Sequence, residues 1–136
     1  MVCVKCGTKT SVINSRRQKR SNQVWRRRKC EACQDVFTSL EAPDLASLLI
    51  VDSRGRREPF TSDRLFADLL VALQHRSDRF TAAREASHTI IKQLLKLQGK
   101  SVLLKDEISL ATAQVLSKLD RSAYLRYVAE HPWLEP

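Results

Sequence analysis

Apolar positions along this chain follow two different patterns. From residue 48 onward they recur at regular spacing. Leu48, Leu49, Ile50 and Val51 form a strand-like run and Arg54-Gly55 marks a turn, so SLLIVDSRGRREPF predicts a β-hairpin. Ser62 is placed to cap a helix carrying Leu65, Phe66, Leu69, Leu70 and Leu73. A second helix, from about Thr81 to Gln98, carries Ala83, Ala86, Ile90, Ile91, Leu94 and Leu95, with Gly99 placed to end it in the left-handed conformation. Asp106 opens a third, with Ile108, Thr112, Val115, Leu116 and Leu119 on one face. Tyr124, Leu125 and Val128 suggest a short last helix before Pro132. Residues 1–41 lack long apolar runs, and the segments from Val12 and from Val24 read as neighbouring strands. Between the two regimes, residues 42–47 form a joint in which Pro43 biases Ala42 away from helix. The expected architecture is α+β: a small N-terminal β unit over 1–41, then a hairpin packed on a helical bundle over 48–136.

Charge sharpens this division. The chain of 136 residues carries a formal net charge of +9. Residues 1–41 hold ten Lys and Arg against three Asp and Glu, whereas the remainder holds fourteen against twelve. Between Arg16 and Lys29 there are eight basic residues and no acidic one. An imbalance of that size on so short a segment points to a polyanionic partner, with phosphate-backbone contacts and a few side chains reaching base edges. Trp25 beside the arginines offers an apolar platform or wedge. The competing reading is a basic face that only offsets local negative charge.

Such negative charge has a source. Cys3-x-x-Cys6 and Cys30-x-x-Cys33 are two matched pairs, and two-residue spacing lets both thiolates of a pair reach one ion. Four thiolates around Zn2+ make a closed structural site, one ion per chain, with a formal charge of −2. A segment this short builds little core, so the metal supplies its folding free energy. Redox chemistry needs one reactive pair at a helix start rather than two matching pairs. The His-x-Glu half of a zinc deaminase signature is absent, and His75, His88 and His131 lie far from the cysteines. No phosphate loop of the Gly-Lys-Ser/Thr type exists among the three glycines, Gly7, Gly55 and Gly99, and no nucleophile–base arrangement stands out, so an enzyme is not expected. The N-terminus shows no apolar leader and no run approaches the ~18 apolar residues of a membrane span. A cytosolic protein is expected.

CVKCG, VINSRR and RRRKCEACQDVFTSLE, followed by GRREPF and LDRSAYLRYV, resemble the bacterial repressors of ribonucleotide reductase genes over nearly the whole chain. The resemblance implies a zinc ribbon joined to an ATP-cone. It implies binding to paired double-stranded operator boxes, and sensing of ATP and dATP that sets homo-oligomeric form, dimer or higher, and DNA affinity. Carried over by motif, the DNA-facing positions are Arg16, Arg17, Arg26, Arg27 and Arg28, and the zinc ligands are Cys3, Cys6, Cys30 and Cys33. The implied nucleotide positions are Val51, Asp52, Ser53, Arg54, Glu58, Arg64 and Leu65. Here the chain departs from the pattern: Asp52 and Ser53 stand where two cations are implied, which weakens the expected grip on a triphosphate, and Gln34 rather than Gly follows the second Cys pair. Two rivals remain open. One is the same DNA binder with a cone used only for oligomerisation. The other is a zinc-ribbon adaptor for protein or RNA.

Overall fold

The computed structural model describes residues 1–97, 99 and 101–134. The chain falls into two compact units, Met1–Asp44 and Leu45–Pro136.

The first unit is a three-stranded antiparallel sheet in the order β1-β2-β3, with β1 at Thr10–Gln18, β2 at Gln23–Cys30 and β3 at Val36–Glu41. The neighbouring strands expected at Val12 and Val24 are β1 and β2; the sequence reading had no third strand. Cross-strand partners share a face of a sheet. The register therefore puts Arg17, Ser15 and Val12 with Val24, Arg26 and Arg28 on one face, joined by Glu41, Ser39 and Phe37 of β3. Arg16 and Asn14 lie with Trp25 and Arg27 on the other, joined by Leu40 and Thr38. An irregularity at Ile13 keeps Val12 and Asn14 both in pairing with β2. Along β2 the first face is half-buried and the second exposed.

The second unit holds a smaller sheet in the order β5-β4-β6 and four longer helices. β4 spans Ile50–Ser53, β5 Arg56–Pro59 and β6 Val102–Leu104. The strand starts at Ile50 rather than Leu48, because Leu45–Leu48 closes a single helical turn, α1, with the N–H of Leu49 donating to Leu45 O at 2.9 Å. That turn occupies part of the expected 42–47 joint. The Arg54-Gly55 turn is present, with φ of 54° and 90°. Two successive positive φ values match the twist of a two-residue hairpin. β6 pairs parallel with β4, Val51 opposite Leu103 and Asp52 opposite Leu104.

Helix α2 spans Ser62–Ala72, α3 Arg79–Leu95, α4 Lys105–Leu119 and α5 Arg121–Ala129. Thr61, not Ser62, is the N-cap of α2, and Ser62 is its first helical residue. α3 begins two residues before Thr81 and ends at Leu95, with Lys96 as its C-cap, short of the expected end at Gln98, which itself lies outside the described residues. Gly99 has a φ of 76°. α4 starts ahead of Asp106 because Glu107 folds back to accept the Leu104 N–H at 2.9 Å. Leu69, Leu73, Ile90, Leu94, Leu103 and Leu116 are fully buried and form the centre of the core. Leu95, Leu119 and Leu125, expected on packed faces, are exposed. Thr112 is buried with its hydroxyl donating to Ile108 O at 2.8 Å, which satisfies the only polar group it brings inside.

Candidate functional site

Two chain reversals bring the cysteines together. The Cys3 N–H donates to Thr8 O and the Gly7 N–H to Cys3 O, at 2.7 and 2.9 Å. The Cys30 N–H donates to Asp35 O at 2.9 Å. Each reversal passes through a positive φ, 73° at Gly7 and 61° at Gln34. Gln34 therefore takes up a conformation that costs a side-chain-bearing residue roughly 1–2 kcal/mol. Its amide donates to Glu31 O at 3.0 Å and offsets part of that cost.

The four Sγ atoms lie within 4.8 Å of one another. Cys3 and Cys33 are 3.7 Å apart, Cys6 and Cys30 3.5 Å, and Cys6 and Cys33 3.7 Å. A tetrahedron with Zn–S bonds of about 2.3 Å has edges of about 3.8 Å. The donor set and spacing fit zinc. Four thiols this close do not all ionise unaided. Hydrogen bonds from Thr8 pull the Cys6 thiol down to about 6. Cys33 is pushed up to about 12, because the Asp35 N–H that favours its thiolate is outweighed by Cys30, burial, Cys3 and Cys6. A divalent cation removes this conflict. Cys3, Cys6, Cys30 and Cys33 would fill all four positions around a zinc ion, which would then hold the fold and leave no position for substrate.

The arginine run is divided by strand alternation. Arg26 is half-buried and paired with Glu41, both contacts at 2.9 Å. Arg28 donates to Ser39 Oγ at 2.9 Å. These two stabilise the β2–β3 pairing from the half-buried face, where exposed Arg17 also lies in register. Arg16, Arg27 and Lys29 share the exposed face with Trp25 and Leu40, which are 45% and 58% exposed. The five arginines that the resemblance implies as DNA-facing are thus two on the open face and three on the other.

In the second unit a cleft of about 360 Å3 opens between the sheet and α2, α4 and α5. Val51, Ser53, Glu58, Arg64 and Leu65 line it, as the sequence expectation had them. Asp52 and Arg54 do not. The side chain of Asp52 accepts the Gly55 N–H at 2.7 Å and Arg57 Nε at 3.2 Å, and the Gly55 N–H foremost holds its carboxyl below the usual range. Its charge is matched at the hairpin end. Arg64 donates to Glu58 at 2.8 Å. Sequence reading did not assign Asp68, Lys105, Tyr127 and His131 to the cleft, though all four line it. Partial burial pushes the Asp68 carboxyl up, against the pull of Arg64, His131 and Lys105. Tyr127 and His131 stack with ring centroids 4.2 Å apart, His131 lying just past the end of α5.

A basic three-stranded sheet closed by four convergent thiolates defines a zinc ribbon, here followed by an α+β unit with its own cleft. The family described as "Transcriptional repressor NrdR-like, N-terminal domain" matches residues 1–41. Relatives named transcriptional repressor NrdR, from Streptococcus pneumoniae strains Hungary19A-6 and ATCC 700669 / Spain 23F-1, are each 32% identical over 132 residues, covering 95% of this chain and 82% of theirs. The chain belongs to the NrdR family of transcriptional repressors, a regulatory and not an enzymatic class. Among the described residues no helix is long and apolar enough to cross a membrane.

Proposed function

We propose that this chain is a zinc-dependent, DNA-binding repressor of ribonucleotide reductase genes in the bacterial cytosol. Residues 1–41 bind paired operator boxes. Residues 48–136 form an ATP-cone whose cleft takes ATP or dATP, and residues 42–47 join them. Nucleotide binding sets the homo-oligomeric form and through it the affinity for DNA. The observation that carries the reading is the open face of the ribbon. Among the described residues Arg16, Arg27 and Lys29 make no ion pair there, and Trp25 stands between the two arginines in register. Charges held for internal pairing would look like Arg26; these are directed to solvent, as phosphate contacts require. The cleft supports the second half, since it combines cations with an apolar wall of Val51, Phe60, Leu65 and Ile108 at a volume suited to a small ligand.

The test is binding to a duplex from upstream of the ribonucleotide reductase genes of the same genome, measured by fluorescence anisotropy over a series of salt concentrations. Arg16→Ala with Arg27→Ala removes two phosphate contacts and flattens the slope of log K against log salt by roughly 1.8, at about 0.9 per phosphate. A slope equal to that of the native protein would leave the open face without a role in DNA binding.

A further inference from the structure

The cleft of the second unit contains an arrangement of charge around the end of β4. Ser53, the last residue of β4, faces the cleft and offers only a hydroxyl. Its antiparallel partner is Arg56, the first residue of β5, which lines the same cleft. Partners across a sheet have Cβ atoms about 5 Å apart, so the guanidinium works over the surface next to Ser53. On the other side of β4, Leu104 pairs with Asp52, and the next residue, Lys105, begins α4 and also lines the cleft. Ser53 is therefore flanked by a cation from the start of β5 and, past the end of β6, by one from the first residue of α4.

The remaining charges in the cleft are already engaged or of the opposite sign. Arg64 is bound to Glu58, and Asp68 is an acid. Asp52 and Arg57 face away from the cleft and pair with each other. Among the described residues Arg56 and Lys105 make no ion pair, although both stand at the mouth of a cleft that also holds Glu58 and Asp68. Exposed cations that make no ion pair with the nearby Asp68 are available to an anion from outside. The apolar wall behind them suits a flat ring and not a second anion.

Resting on the nucleotide reading above, we infer that Arg56 and Lys105, placed on either side of Ser53, form the subsite that grips the phosphate chain of a nucleoside triphosphate, with the Ser53 hydroxyl between them. The ligand class is an adenine nucleoside triphosphate, with its ring against the apolar wall. Arg56 contributes a planar fork able to bind two phosphate oxygens, and Lys105 a compact charge that follows the chain.

Calorimetric titration of full-length, zinc-loaded protein with dATP and with deoxyadenosine tests this. Arg56→Ala and Lys105→Ala are each expected to weaken dATP binding by roughly tenfold to a hundredfold, the loss of one charge-assisted contact, and to leave deoxyadenosine binding unchanged. Arg56→Lys and Lys105→Arg retain most of the affinity and exclude a folding defect as the cause. Arg84→Ala, which removes an exposed cation of α3 outside the cleft, leaves dATP binding at the native level. Native affinity for dATP in both Arg56→Ala and Lys105→Ala would overturn the subsite while leaving nucleotide binding by the cone intact. A native protein that binds no dATP would overturn both.

Discussion

Replacing Cys30 with Ser removes one of four zinc ligands and is expected to unfold residues 1–41 while the second unit stays folded. In the first unit only Cys3, Thr10 and Cys30 are buried among the described residues, and two of these are ligands. Val24 and Phe37 are half-buried. Complete burial of both would contribute about 3–6 kcal/mol, whereas zinc in a structural thiolate site supplies roughly 10–16 kcal/mol of apparent binding free energy. The metal is the larger quantity by a wide margin, so the sheet does not survive its loss. The core of the second unit draws on no residue before Leu45 and does not depend on the metal. The two tryptophans fall one in each unit, Trp25 on β2 and Trp133 beyond α5. In a Trp133→Phe background, Trp25 alone reports the ribbon. Cys30→Ser is then expected to show unfolded-type Trp25 emission, free amide exchange over residues 1–41 and a zinc content near zero. The helical dichroism and its cooperative melt are expected to persist. A variant that keeps native Trp25 emission and protected ribbon amides without metal would refute the reasoning.

Two further outcomes follow from contacts in the second unit. Asp120 caps α5 by accepting the Ala123 N–H at 2.9 Å, and its other oxygen meets His75 and Arg76 at 3.1 and 3.3 Å. Asp120→Ala is expected to destabilise the unit by roughly 1–2 kcal/mol in denaturant melts. The Ala123 N–H first, aided by His75 and Arg76, holds the carboxyl down at about 2. Its contribution is therefore complete above the usual carboxylate range near ~4 and is lost as pH falls toward 2, where native and variant stabilities should converge. Ser53→Lys, which adds a cation on the cleft side, is expected to tighten dATP about tenfold by calorimetry, the gain of one charge-assisted contact. Asp52→Lys should gain less, since Asp52 faces away from the cleft and holds the hairpin through Gly55 and Arg57; a larger gain from Asp52→Lys would contradict this placement.

Where a residue's role follows from local spacing, the sequence was legible. The four cysteines, the positive φ at Gly55 and Gly99, and the buried faces of α2 and α3 are properties of a few neighbouring positions. What escaped depends on pairing between distant segments. β6 has three residues, too short for its alternation to be seen, and exists because β4 offers it a parallel edge. Lys105 joins the cleft only through that pairing. The split of the arginine run was computable from alternation alone, yet which face would be open depended on β3, which brings Glu41 and Ser39 to Arg26 and Arg28. The expected repulsion by Asp52 had the right residue on the wrong side of its strand, since alternation turns Val51 and Ser53 inward and Asp52 out.

The central claim is that nucleotide in one unit controls DNA binding by the other. It is tested most directly by titrating zinc-loaded native protein into the labelled duplex at fixed salt, with and without saturating dATP. The account predicts a change in duplex affinity of at least roughly fivefold, and by linkage an equal factor in dATP affinity when duplex is present. Sequence-selective duplex binding that is the same with and without dATP would contradict it, leaving a cone that serves assembly alone.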